Sequence, residues 1–202
     1  MKTKDCSPEE MNAHVAYFKD LIPNSLDFLD RENVPLGAFE LMTAKKSLLV
    51  AASERKMEGQ AARPAIDIPP GVSVFICETP VGNGPELHAH MRTRETFMCL
   101  SGRYEIRYGR DGEHVLELGP MDTVSVPNGV MRSFKNIADS TSYLLVLIHE
   151  TGDEKALSDV YMKPELAKRI ADEYGVEAVR GLERLGNNFT ADEEEASLEH
   201  AK

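Results

Sequence analysis

Between Ile66 and Glu150 the chain is built from short apolar segments broken by Gly, Pro, Asn and Asp at intervals of about ten residues. That rhythm leaves no room for long helices and predicts an all-β sandwich or barrel. "RYEIRYG" alternates cleanly, with Tyr104, Ile106 and Tyr108 on one face and Arg103, Glu105 and Arg107 on the other. This is the period of a strand with one buried side. Asp111-Gly112 in the following "RDGE" supports a tight hairpin turn, from which "HVLELG" returns. "VSVFICE", "DTVSVP" and "YLLVLIHE" read as further strands.

The flanks read differently. "SPEEMNAHVAYFKDLIP" predicts a helix, with Ser7 as cap, Pro8 at the first position, Glu10 completing a capping box and Pro23 ending it. From Asn24 to Arg63 the pattern is weak; "GAFELM" and "SLLVAA" suit short strands added to the edge of this barrel or of a neighbour's. After Gly152 the period turns helical. "KPELAKRIADEYG" has Pro164 near its start and Gly175 where a left-handed cap would sit, and "VEAVRGLERLG" reads as a second helix. The expected organisation is therefore an N-terminal helix and extended strands over 1–65, a barrel over 66–150, C-terminal helices over 151–188 and a disordered acidic tail over 189–202.

Composition narrows the partners. The 202 residues suffice for one domain with appended elements. A net charge of −11 argues against nucleic acid and against an anionic membrane surface. The excess is uneven: Thr151 to Lys202 holds 13 acidic and 7 basic residues, a net of −6. The longest apolar run, "YLLVLI", is far too short to span a bilayer. "MKTKDCSPEE" lacks the apolar core of a secretory signal. Three scattered cysteines, Cys6, Cys77 and Cys99, do not make a disulfide framework. A cytoplasmic location is the expectation.

The chemistry concentrates in "GPELHAHMRTRETFMCLSG". On a strand, residues two apart face the same way, so His88 and His90 share a direction. "MRTR" makes a turn, and if the flanking strands pair across it Glu95 faces the same interior. Two imidazoles and a carboxylate on one side of an ion leave open coordination positions. That donor set suits one divalent transition metal, Fe(II) first, with Mn, Ni, Co or Zn as rivals. The alternative is three polar residues with no common role, and spacing alone does not choose between them.

The segment from Gly82 to Gly102 resembles the first motif of the cupin superfamily, with Gly82, His88, His90, Glu95 and Gly102 at the motif positions. "MDTVSVPNGVMRSFKN" resembles the second at Pro127, Gly129 and Asn136. It departs from it at Met121, where a glycine is usual, and at Arg132, where a fourth ligand, histidine, is usual. The resemblance covers Ile66 to Glu150. It implies a small antiparallel jelly-roll barrel, metal ligands at His88, His90 and Glu95, and, by family habit, a homodimer.

Arg132 then divides the reading. Either the metal stays and Arg132 takes part in catalysis by gripping a small anionic organic substrate, or the metal is lost and Glu95 and Arg132 form a buried ion pair in a binding pocket. Both histidines are retained, which favours the first. Alternation points Phe97, Cys99, Phe134 and Tyr104 inward. Phe97, Phe134 and Tyr104 are thus candidate substrate contacts, with plain core packing as the rival reading. His149 is a conceivable spare ligand; His114, His14 and His200 are expected elsewhere. The function expected is a metal-dependent dioxygenase. Isomerase or lyase chemistry and a non-catalytic small-molecule-binding cupin are the alternatives.

Overall fold

The computed structural model describes residues 2–23, 27–53, 63–149 and 159–191. Its strands are β1 (Lys46–Ala52), β2 (Ile66–Asp67), β3 (Val72–Thr79), β4 (His88–Ala89), β5 (Arg94–Cys99), β6 (Tyr104–Tyr108), β7 (His114–Leu118), β8 (Thr123–Val126), β9 (Arg132–Asn136), β10 (Ser142–His149), β11 (Val160–Met162) and β12 (Asn187–Asn188). Its α-helices are α1 (Pro8–Asn12), α2 (Asp27–Glu32), α3 (Leu36–Phe39), α4 (Pro164–Tyr174) and α5 (Val176–Arg184).

Two six-stranded sheets face each other, in the orders β2-β1-β3-β10-β5-β8 and β12-β11-β4-β9-β6-β7. Their inner faces make the core. Cys77, Phe97, Cys99, Val126, Leu144 and Val146 from the first sheet meet Tyr104, Ile106, Leu118 and Phe134 from the second. The alternation read in β6 is confirmed, since Tyr104 and Ile106 are buried. Tyr108, at the strand's end, is exposed and stacks near His114. Neither sheet is purely antiparallel, as had been expected, because β1–β2 and β11–β12 are parallel pairs. The second is a crossover through α4 and α5, the long connection that a parallel pair requires.

The helices gather around β11. Leu29, Val34, Ala38, Met162, Ile170, Ala178, Leu182 and Phe189 form a second apolar cluster. Phe189 and Ala191, the first residues of the expected tail, are buried in such clusters; residues 192–202 lie outside the described residues, as does His200. Among the described residues, no helix is long and apolar enough to cross a membrane.

Two local expectations need correction. The N-terminal helix stops at Asn12, although its capping box is present: Glu10 N donates to Ser7 Oγ and Ser7 N to Glu10 Oε2. It buries nothing, and a helix with no packed face has little to extend it. "GAFELM" is helical over α3 because Ala38 packs into the second cluster and Gly37 lies under the Tyr174 ring. "SLLVAA" is a strand as read, and of the two placements expected β1 takes the one on its own chain, pairing with β3.

The departure at Met121 has a structural consequence. The motif glycines Gly82, Gly102 and Gly129 all have positive φ, and Met121 adopts φ 72 as well. Its amide is held by the Cys99 carbonyl at 2.7 Å, so the turn keeps a shape suited to glycine. Met121 is exposed. Met121→Gly should therefore raise stability by about 0.5–1 kcal/mol, the relieved left-handed strain less the added freedom of the unfolded chain. A urea titration checks this.

Candidate metal centre

His88 sits on β4, opposite Arg132 of β9 on one side and Met162 of β11 on the other. Glu95 sits on β5, opposite Val126 of β8 and Ile148 of β10. The strands on either side of the "MRTR" turn therefore do not pair with each other, so the condition under which Glu95 was read as facing the histidines is not met. They belong to opposite sheets, and the carboxylate meets the imidazoles across the interior. The result is nonetheless convergence: His88, His90 and Glu95 are all buried, with donor atoms within 4.8 Å of one another.

The geometry fits a shared cation. Glu95 Oε2 is 4.0 Å from His88 Nε2 and 3.8 Å from His90 Nε2. Two ligand bonds of about 2.1 Å span at most about 4.2 Å between their donor atoms. His88 Nδ1 lies 2.8 Å from the Glu86 carbonyl, which can only accept, so Nδ1 carries the proton and Nε2 keeps its lone pair. Burial, and then the charge of Arg132, push the His88 imidazole down to about 3, so it is neutral at ordinary pH. His90 Nδ1 is buried without a hydrogen-bond partner among the described residues. A buried donor set of two imidazole nitrogens and one carboxylate oxygen, with one ring oriented by a carbonyl, could hold a divalent transition metal.

Arg132 is almost wholly enclosed, at 1% exposure. It reaches from the second sheet to the first, donating from Nε (3.0 Å) and Nη2 (2.6 Å) to Glu95 Oε2 and from Nη1 (3.3 Å) to the His88 carbonyl. Burial acts on each partner alone by raising the Glu95 carboxyl and lowering the guanidinium. Pairing works the other way and prevails, because two N–H donors converge on one oxygen and a guanidinium keeps its proton in proteins.

The aromatic residues expected to touch substrate are buried. Phe97 and Tyr104 have no accessible surface, and Phe134 has little. Phe97 and Tyr104 each lie edge-on to Phe134, at ring distances of 5.3 and 6.2 Å. The Tyr104 hydroxyl is bonded to Thr79, whose own hydroxyl donates to the Ser142 carbonyl at 3.0 Å. All three rings belong to the apolar core between the sheets. Cys77 and Cys99 are free and buried, and burial pushes the Cys77 thiol up to about 12, leaving it unreactive. His149 and His114 are exposed and apart from the site, as is His14.

Sequence reasoning missed Asp159. Its carboxylate, 2% exposed, holds the turn between His90 and Glu95. Asn136 was placed by the motif alone. Its side chain donates to Thr79 and Ser140 carbonyls and accepts from the Ala138 amide, and its backbone bonds Gly82 and Asn83, which ties the two motifs together.

No protein-family model matches this sequence, and no curated protein is similar to it. Cupin-domain proteins are among the solved structures that it resembles. The cupin domain of Schizosaccharomyces pombe Cnp3 is 19% identical over 42% of this chain and 60% of its own, with a TM-score of 0.38. A cupin-superfamily sugar phosphate isomerase from Silicibacter pomeroyi is 20% identical over 52% of this chain and 59% of its own, at 0.39. KdgF from a Halomonas species is 15% identical over 54% of this chain and 82% of its own, at 0.41. The chain thus spans less than two thirds of the length of the first two.

Proposed function

We propose that residues 66–149 form a cupin-type jelly roll in which His88, His90 and Glu95 hold one divalent transition metal, and that the protein acts on a small organic anion received by Arg132. The strand order supports the first part: β3-β10-β5-β8 faces β4-β9-β6-β7, the interleaved arrangement of a two-sheet jelly roll. The convergence of two imidazoles, a carboxylate and a guanidinium in one buried cluster carries the second.

A metal bound there supplies Lewis acidity and open coordination positions, Fe(II) being the ion best suited to this donor set and to dioxygen. The chain's own groups do the rest. The Glu86 carbonyl fixes the His88 ring, and the carboxylate of Glu95 balances cationic charge. Of the five N–H donors of Arg132, three are engaged with Glu95 and the His88 carbonyl, leaving two to receive a carboxylate or enolate. The apolar core around Phe97 and Phe134 excludes bulk water from the interior. Oxygenation is the reaction proposed; isomerisation or elimination on an anionic carbonyl compound uses the same groups. Oxygen uptake by Fe(II)-loaded protein, measured against a panel of small carboxylates and 1,3-dicarbonyls, separates these: turnover without uptake selects the isomerase or lyase.

Arg132→His tests the metal part directly. Replacing a cation by a fourth neutral ligand should tighten Mn(II) or Zn(II) binding by about tenfold or more, read by calorimetry. Unchanged or weaker binding would separate Arg132 from the metal. A second reading has one observation behind it, since both short Arg132 bonds occupy the very Glu95 oxygen that faces the histidines. In that reading the pocket binds a small anion without metal. Wild-type protein that takes up no Fe(II), Mn(II), Co(II) or Zn(II) after chelator-free purification would establish it.

A further inference from the structure

The imidazole and carboxylate sides of the cluster come from different sheets, β4 in one and β5 in the other. Only the turn 90–93 joins them, so its shape sets how far apart they stand. Two loops hold it. On one side Gly129 N donates to the His90 carbonyl at 2.8 Å and Asn128 Nδ2 reaches the Met91 carbonyl at 3.4 Å. On the other, Asp159 Oδ2 accepts the successive backbone amides of Arg92 (2.5 Å) and Thr93 (2.9 Å), with the Thr93 hydroxyl at 3.4 Å. Asp159 immediately precedes β11, which pairs with β4 at Tyr161↔Ala89 and Met162↔His88. One short C-terminal stretch therefore grips the turn with a carboxylate and backs the histidine strand with its ladder. The barrel segment alone lacks both.

We propose that Asp159 is a positioning residue of the metal centre, fixing the turn that sets the distance between His90 and Glu95. It acts through two amides and touches none of the three donor side chains. The inference rests on the metal reading above and extends the site into the C-terminal segment. The carboxylate is suited to the task, because an ionised acceptor holds two adjacent N–H groups about twice as strongly as a neutral one. Its second oxygen, Oδ1, is buried and has no hydrogen-bond partner among the described residues.

Co(II) titration of the full chain tests this, read by the visible absorption of the bound ion and its affinity. Asp159→Ala should weaken Co(II) binding about 10–100-fold, the range for groups that orient ligands, and alter the band. Asp159→Asn, which retains one acceptor oxygen, should fall between Asp159→Ala and wild type. Ile170→Val, which loosens the packing around β11 without touching the turn, should leave the spectrum and the affinity as in wild type. The proposal is overturned if either Asp159 variant binds Co(II) within twofold of wild type with the same band, or if Ile170→Val weakens binding as much as Asp159→Asn does. If wild type binds no Co(II) the metal reading itself fails and this inference falls with it, whereas equal binding by wild type and variants removes only the role of Asp159.

Discussion

Glu95→Gln should lower the stability of the metal-free protein by about 3–5 kcal/mol, the usual consequence of leaving a buried charge without its partner. The cause is Arg132. Its guanidinium is enclosed at 1% exposure, and two of its three hydrogen bonds go to the single oxygen Glu95 Oε2. An amide oxygen accepts a hydrogen bond but supplies no charge, so the cation is left in a region that solvates it poorly. Urea denaturation in chelator measures the loss. The double variant Glu95→Leu with Arg132→Met should recover most of it, because a well-packed apolar pair replaces a buried ion pair at little or no cost. A single variant that loses less than 1 kcal/mol, relative to the range just given, would mean that the pair is solvated and the enclosed cluster is wrongly drawn.

His88→Ala and His90→Ala should each abolish metal binding, with a drop beyond the 10–100-fold that attends loss of a merely orienting group. Each removes one of three protein donors from a site with no spare among the described residues, since His149 and His114 are exposed elsewhere. Elemental analysis after chelator-free purification, with calorimetry using Mn(II) and Zn(II), gives the readout. His114→Ala is the control and should bind as wild type does. Full occupancy in both site variants would show that the ligands are misassigned. The thermal midpoint in chelator separates loss of a ligand from loss of the fold.

What could be read from sequence follows from where the information lies. The strands β3, β6, β7, β8 and β10 were legible because a half-buried strand alternates and its turns demand Gly, Asp or Pro. The helices α4 and α5 were legible for the same reason, with Pro164 and Gly175 as punctuation. The short α3 was not, because Gly37 and Ala38 are helical by virtue of what packs on them, and nothing in "GAFELM" records that. The His-x-His pair and Glu95 were visible as a triplet. The sheet to which each belongs was not, since a turn of four residues joins strands equally well within a sheet or between two. Asp159 was invisible: its partners lie 66 and 67 residues earlier in the chain, and an aspartate in an acidic stretch carries no local sign of such a role.

Glu95 is rooted in one sheet and Arg132 in the other, so their bond is a rivet through the sandwich as well as part of a site. Further in, the Phe97–Phe134 edge contact crosses the same gap. The mouth of the fold therefore cannot widen gradually. It stays latched until a charged pair parts, and amides of β5 and β9 on its two lips should exchange with deuterium together, in a single cooperative opening.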